Sequence, residues 1–218
     1  MLVSPGSAGA HIWQAQSFSP LSGLVYIPAL DVPALFEETG MDAKRWTRQT
    51  GFDTGYAPMI FKGPGMTPSK PIASLIAWDP ILQRKRWSVD LPGFQSGGIA
   101  STAGNLVFQG HGGGEFVAYA ADTGRKLWSF AAQNGIVSQP ITYRAHGRQY
   151  VTVVAAYGGG AGAGPTSFQW DYRNQKRRIL TFALGGDKIL PKLEETSTQV
   201  VDDPSFRLDA ALVDQGAK

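Results

Sequence analysis

The sequence predicts an all-β protein built from propeller-type blades, and three observations carry that expectation. Residues 97–128 divide into four short extended segments, 98–102, 105–110, 115–120 and 126–130, each rich in β-branched or aromatic residues and bounded by Gly, Asn or Asp. The end of this stretch, Ala118-x-x-x-x-Thr123-Gly124-x-x-x-Trp128, recurs upstream in degraded form from Ala77 through Asp79 to Trp87, with the same ten-residue interval from alanine to tryptophan. The two tryptophans stand 41 residues apart. That period suits propeller blades, in which each four-stranded antiparallel sheet buries its faces against its neighbours. Finally, 27 glycines and 14 prolines beside 11% aromatic residues suit many tight turns between strands.

The elements follow in chain order. Residues 11–18 read as extended, 19–23 as a turn and 24–27 as a strand, giving the first half of a blade. Leu24-Val25-Tyr26 after Gly23 matches Leu106-Val107-Phe108 after Asn105. Between 29 and 71 the pattern becomes irregular, with a short helical possibility at 32–38, which predicts an inserted loop of the functional or partner-facing kind. The blade resumes at 72–78 and 85–89, and the full blade of 97–130 follows. A third unit has strands at 139–143 and 149–156, a turn at His146 and Gly147, and an outer strand at 178–184. The 149–156 run is long and apolar enough for a buried inner strand. Residues 1–191 thus form a partial propeller of about three blades. Residues 192–218 are a polar linker ending in a short amphipathic stretch. Closure of a propeller takes four or more blades, so the expectation is a fragment or one part of an assembly.

Bulk properties narrow the function classes. Twenty Lys and Arg against 17 Asp and Glu leave a net charge of only +3, and the basic residues are scattered, which argues against nucleic acid. The cluster Lys176-Arg177-Arg178 reads as a solvated turn. No apolar run approaches the roughly 20 residues that span a bilayer, and the first residues lack the charged and apolar regions of an export signal. There is no cysteine, hence no disulfide or thiolate metal site.

Residue by residue, structure outweighs chemistry. In the repeated motif Gly124 supplies a turn, Thr123 bonds local backbone and Trp128 is expected to lie buried between adjacent sheets. His11, His111 and His146 show no metal-ligand spacing, and neither a nucleophile elbow nor a phosphate-binding loop is present. His111 with Glu115 reads as an exposed hairpin tip rather than a cation site. Asp53 and Asp79 read as isolated carboxylates, so no acid and base pair can be named. The run from Gly158 to Pro165 permits close approach of backbone to a ligand and is equally explained as a plain loop.

Longer motifs carry a resemblance. Residues 13–29 (WQAQSFSPLSGLVYIPA), 101–110 (STAGNLVFQG), 118–128, Pro140 to Tyr143 with Gln149-Tyr150-Val151, and Tyr157-Gly158-Gly159 resemble, in order, the pyrroloquinoline quinone (PQQ)-dependent alcohol dehydrogenases, in their quinohaemoprotein branch. The resemblance implies the C-terminal part of an eight-bladed propeller with the quinone at its axis. It also implies oxidation of primary alcohols to aldehydes, electrons passing to haem c, and a periplasmic location. Trp13, Ser96, Gly97, Gly98, Tyr157, Gly158 and Gly159 are the cofactor-binding residues it implies. Four positions depart from the family pattern: Ile12 replaces an asparagine, Gln95 and Ser96 replace a tryptophan and a polar residue, and Tyr157 replaces a tryptophan. Residues 210–218 look like the opening of a cytochrome c domain. The family's catalytic aspartate, calcium ligands and vicinal cysteines match nothing in this chain, so no catalytic residue is assigned and a segment inactive alone is expected. A cytochrome domain or partner chain would complete the propeller. The rival expectation is a non-catalytic propeller that serves as a protein-binding scaffold.

Overall fold

A computed structural model of the chain describes residues 2–6, 9–35, 44, 72–93, 96–156 and 176–192. Among them are thirteen strands and no helix. β1 (Leu2–Val3) and β4 (Ala34–Leu35) form a short antiparallel ribbon. β2 (Ser17–Ser19), β3 (Leu24–Leu30), β5 (Ala73–Asp79) and β6 (Arg84–Leu91) make the first four-stranded sheet, in that order. β7 (Ser96–Thr102), β8 (Leu106–His111), β9 (Glu115–Ala120) and β10 (Lys126–Ala131) make the second. β11 (Ile141–Ala145), β12 (Arg148–Ala155) and β13 (Arg178–Ala183) make a three-stranded third. Each sheet is an antiparallel meander, so the expected blades are present.

The alternation of side chains along a strand decides how the sheets stack. In β3 and β5 every second residue is buried, whereas β8 and β9 are buried on both faces over most of their length. The second sheet is therefore the middle layer. One of its faces sends Ile99, Val107, Val117 and Tyr119 against Leu24, Tyr26, Leu75 and Ala77 of the first sheet. Its other face sends Phe108, Phe116 and Ala118 against Val153, Ala155 and Leu180 of the third.

The repeated motif explains how two sheets lock together. Trp87 of β6 lays its ring over the turn between β9 and β10. There Gly124 has φ +72, and a Cβ on it would sit 2.6 Å from Trp87 Cε3. The Trp87 Nε1–H donates to the Ala121 carbonyl at 3.1 Å, and the buried Tyr26 hydroxyl donates to the same oxygen at 2.9 Å. The two rings lie 5.7 Å apart. The tryptophan of one blade thus docks on the Thr-Gly turn of the next.

Several expectations change. Trp128 is 41% exposed rather than buried between sheets, because its ring meets Phe182 of β13 edge-on, at 5.2 Å, and not a Thr-Gly turn. The helical possibility at 32–38 gives way at Ala34–Leu35, which pairs with Leu2–Val3; residues 36–38 lie outside the described residues. Ala29 and Leu30 belong to β3 rather than to the inserted loop, and Val32 is buried in the core. Asn105 is a left-handed turn residue, φ 60, not the first residue of its strand. β12 is central in its sheet but not buried on both faces: Val153 and Ala155 face the core while Val154 is exposed. Of the loop expected at 29–71, residues 36–71 other than 44 lie outside the described residues, as do the glycine run at 158–165 and all of the linker expected at 192–218 but its first residue.

Trp87→Ala is expected to destabilise the chain by about 3 kcal/mol, read as a shifted urea midpoint. Gly124→Ala should cost at least about 1 kcal/mol from its backbone alone, and part of its penalty should vanish in the Trp87→Ala background, where the ring it would strike is gone. Additive penalties would remove the ring contact as the cause.

Candidate functional site

β7, an edge strand of the middle sheet, is held by segments from both sides. Ser101 ties it to the first sheet: its N–H donates to Ser17 Oγ at 3.1 Å, its hydroxyl donates to the Phe18 carbonyl at 3.2 Å, and the two serine hydroxyls lie 2.6 Å apart. Further along, the Ile99 N–H donates to the Ala15 carbonyl at 2.9 Å. On the other side, Gln139 Nε2 donates to the Ile99 carbonyl at 3.2 Å, from the segment that leads into β11. Segments from both neighbouring sheets therefore clamp one strand.

The first part of that strand is irregular. Between Ser96, opposite His111, and Ile99, opposite Gln109, β7 has two residues where β8 has one, which is a bulge. The extra space is filled closely. A Cβ on Gly97 would sit 2.7 Å from the Ser138 carbonyl oxygen, and one on Gly98 would sit 3.0 Å from Gln139 Cβ and 3.1 Å from Ala15 N. Only glycine fits at Gly97 without moving backbone, and Gly98 tolerates little more. The side chain of Gln109 closes the third side: fully buried, its Nε2 donates to Ser96 Oγ at 3.1 Å and to the Gly97 carbonyl at 3.0 Å.

Of the residues expected to bind a cofactor, the fold brings Trp13, Ser96, Gly97 and Gly98 to this one end of the sheets. Trp13 lies two residues before Ala15, which packs on Gly98, and is 57% exposed. Ser96 is buried, with its hydroxyl engaged by Gln109. Tyr157, Gly158, Gly159 and Gln95 lie outside the described residues. Sequence reasoning missed Gln109, Gln139 and the Ser17 and Ser101 pair. A signal for Gln109 was present, because an amide that directly follows the apolar run Leu106 to Phe108 in one strand must find partners if buried.

His111 is not an exposed tip. It is buried at the end of β8, with Nε2 3.0 Å from the Tyr119 hydroxyl, and its carbonyl accepts the Ile136 and Gly114 N–H groups. Burial pushes its pKa down to about 4, against the attraction of Glu115. Burial likewise raises the Tyr119 phenol. Glu115 Oε2 lies 3.8 Å from His111 Nδ1, while Oε1 accepts from Lys126. Burial would raise the Glu115 carboxyl, but the Lys126 and Ser129 bonds and the nearby charges hold it below its usual range. Asp79 is not isolated either. It accepts from the Leu82 and Ile81 N–H groups at 2.9 and 3.1 Å and pairs with Arg86 at 3.1 Å, and these bonds lower its pKa, that from Leu82 most. Among the described residues no three His, Cys, Asp or Glu side chains gather to hold a metal, and no helix is long and apolar enough to cross a membrane.

The His111 shift has a definite sign. Between its ordinary 6.5 and about 4, the unfolded chain binds the proton and the folded chain does not, so stability falls as pH falls through that window. The loss reaches on the order of 3 kcal/mol. Urea midpoints should drop from pH 7 to pH 4, and His111→Gln should flatten the upper part of the drop; an unchanged slope would sink this assignment.

Comparison with known proteins agrees with this architecture. Residues 69–151 match the family model for the glucose, ethanol and alcohol dehydrogenase β-propeller domain that carries the name PQQ. The chain is 41% identical over 193 residues to quinohemoprotein alcohol dehydrogenase ADH IIB of Pseudomonas putida, covering 88% of this chain and 27% of that protein. It is 40% identical over 194 residues to quinohemoprotein alcohol dehydrogenase of Comamonas testosteroni, covering 86% and 26%. The solved structure of quinohemoprotein alcohol dehydrogenase ADHIIG from Pseudomonas putida HK5 superposes with a TM-score of 0.69 at 36% identity, over 99% of this chain and 32% of that one. The Comamonas testosteroni structure gives 0.68 at 35%, over 94% and 31%. The chain spans less than a third of the length of these relatives. Along nearly its whole length the chain is therefore similar to part of the quinohemoprotein alcohol dehydrogenases, and its middle portion matches the PQQ β-propeller domain.

Proposed function

We propose that this chain forms part of the propeller wall of a periplasmic PQQ-dependent alcohol dehydrogenase, which oxidises primary alcohols to aldehydes. The observation that supports the reading is the exposed Trp13, two residues from the Ala15 that packs on the Gly97 and Gly98 bulge, in a chain so similar to quinohemoprotein alcohol dehydrogenases. The residues fit one side of such a site. A flat, conjugated quinone suits an exposed indole, and the bulge beside it is held in place by close packing on Ser138, Gln139 and Ala15. Trp13 would hold the ring system, with Gly97 and Gly98 beside it. When bound, the quinone accepts two electrons from the alcohol and passes them to haem c.

The chain's own contribution is to bind, orient and exclude water. Ala15 and Gln139 fix β7 from both sides, so the bulge keeps its place relative to Trp13. The apolar core beneath it keeps solvent from entering between the sheets. Tyr157, Gly158 and Gly159 are proposed to add a further part of the wall, and calcium and haem c to be held by parts of the complete protein that match nothing in this chain. A cytochrome c domain, begun by residues 210–218, or a partner chain completes the assembly.

PQQ titrated into the full chain should quench tryptophan fluorescence saturably. Trp13→Ala should weaken binding by about tenfold, roughly the worth of one aromatic stacking contact, and Gly97→Ala should weaken it further by displacing Ser138. Absence of any quinone binding by the wild type would remove the cofactor reading and leave the scaffold role.

A further inference from the structure

Gln109 is one of two buried polar side chains of β8, with His111, and the one that bonds the β7 bulge. It is fully buried, yet its Oε1 has no hydrogen-bond partner, while its Nε2 makes two bonds, both to the β7 bulge. Turning the amide over would set Oε1 against the Gly97 carbonyl, acceptor against acceptor, so these two bonds fix its orientation. A buried oxygen without a partner destabilises a fold, and a strand serving only the core would do better with an apolar residue there. Its neighbours Val107 and Val117, on the same inter-sheet face, are such residues. What the amide achieves is local: it gives the Gly97 carbonyl and the Ser96 hydroxyl a fixed donor where the bulge interrupts the ladder with β8.

We propose that Gln109 is a positioning residue, its carboxamide fixing the 96–98 bulge in the form that meets the quinone. This rests on the quinone-binding reading above. Ser138 and Gln139 press on the bulge from the segment that leads into the third sheet, and Ala15 from the one that leads into the first. Those contacts restrict where the glycines sit, whereas the Gln109 bonds set which way the Gly97 carbonyl turns. Turned otherwise, that carbonyl would change the backbone surface beside Trp13. Gln109 touches no cofactor and acts only through Ser96 and Gly97.

The test uses the full 218-residue chain and PQQ itself, with three readouts: quinone affinity from tryptophan quenching, the thermal midpoint, and the amide resonances of Gly97 and Gly98. Gln109→Met keeps the volume and removes both donors; Gln109→Glu keeps the shape and replaces the donors with acceptors. Both should weaken PQQ at least about tenfold and shift the two glycine resonances. Ser96→Ala, which removes one acceptor and leaves Gln109 in place, should give a smaller loss of the same sign. It serves as the informative variant if the Gln109 substitutions do not fold. Val153→Ala, in the other core, controls for stability: its midpoint should fall while its affinity stays within twofold of the wild type. The proposal is overturned if the Gln109 and Ser96 variants bind PQQ as the wild type does, or lose affinity only as far as Val153→Ala does. A wild type that binds no quinone overturns the function itself, and is told apart because that arm contains no substitution.

Discussion

One carbonyl oxygen organises the contact between the first two sheets. The Ala121 oxygen accepts both the Tyr26 hydroxyl and the Trp87 indole N–H, and both donors come from the neighbouring sheet. A carbonyl has two lone pairs, so it satisfies two buried polar groups that would otherwise each cost about 1–3 kcal/mol. The two aromatic rings are thereby held against the Thr-Gly turn with their polar atoms paired. Fixing this contact fixes how the first sheet sits on the second, and hence where the segment of Trp13 meets β7. The lock lies toward the β6 and β10 edges of the two sheets, and the candidate site at the opposite edge, beside β2 and β7.

The inter-sheet layer changes character along its length. Around Leu75, Tyr26, Val107 and Val117 it is apolar, and toward the start of β7 it becomes polar, with Gln14, Ser96, Gln109 and His111 all buried. Three of these keep an atom without a partner: Gln14 Oε1, Gln109 Oε1 and His111 Nδ1. The apolar part suffices to bind sheet to sheet, since burial there scales with area removed from water. The polar part destabilises locally, as buried polar groups at functional ends of folds commonly do. Its concentration at one end, beside the exposed Trp13, matches a division of labour between stability and recognition.

Much of the architecture was legible in the residues because it follows from periodicity. The four strands of the middle sheet appear within one or two residues of their predicted bounds, since β-branched runs between Gly and Asn leave little choice. The alanine-to-tryptophan interval was also legible, but its meaning was not. Trp87 and Trp128 occupy equal places in the repeat, yet one is sealed on a Thr-Gly turn while the other meets Phe182 and stays 41% exposed. The difference lies in the partner sheet, which a local motif does not contain. His111 and Asp79 failed for the same reason. His111 owes its neutrality to burial, and Asp79 its partners to a turn that folds Leu82 and Ile81 back onto it.

At the candidate site, the residue types were legible and their geometry was not. Two consecutive glycines signal close backbone approach, but not what approaches. In the fold the nearest atoms to their missing side chains are the protein's own Ser138, Gln139 and Ala15. The glycines are therefore a packing requirement where the segments around the middle sheet meet. This packing has a consequence for Trp13: its position depends on the Ala15 contact with β7, so substitutions at Gly98 reach it without touching it. The wall of the site is as rigid as the clamp around one bulged strand, and that clamp is assembled from segments on both sides of the middle sheet.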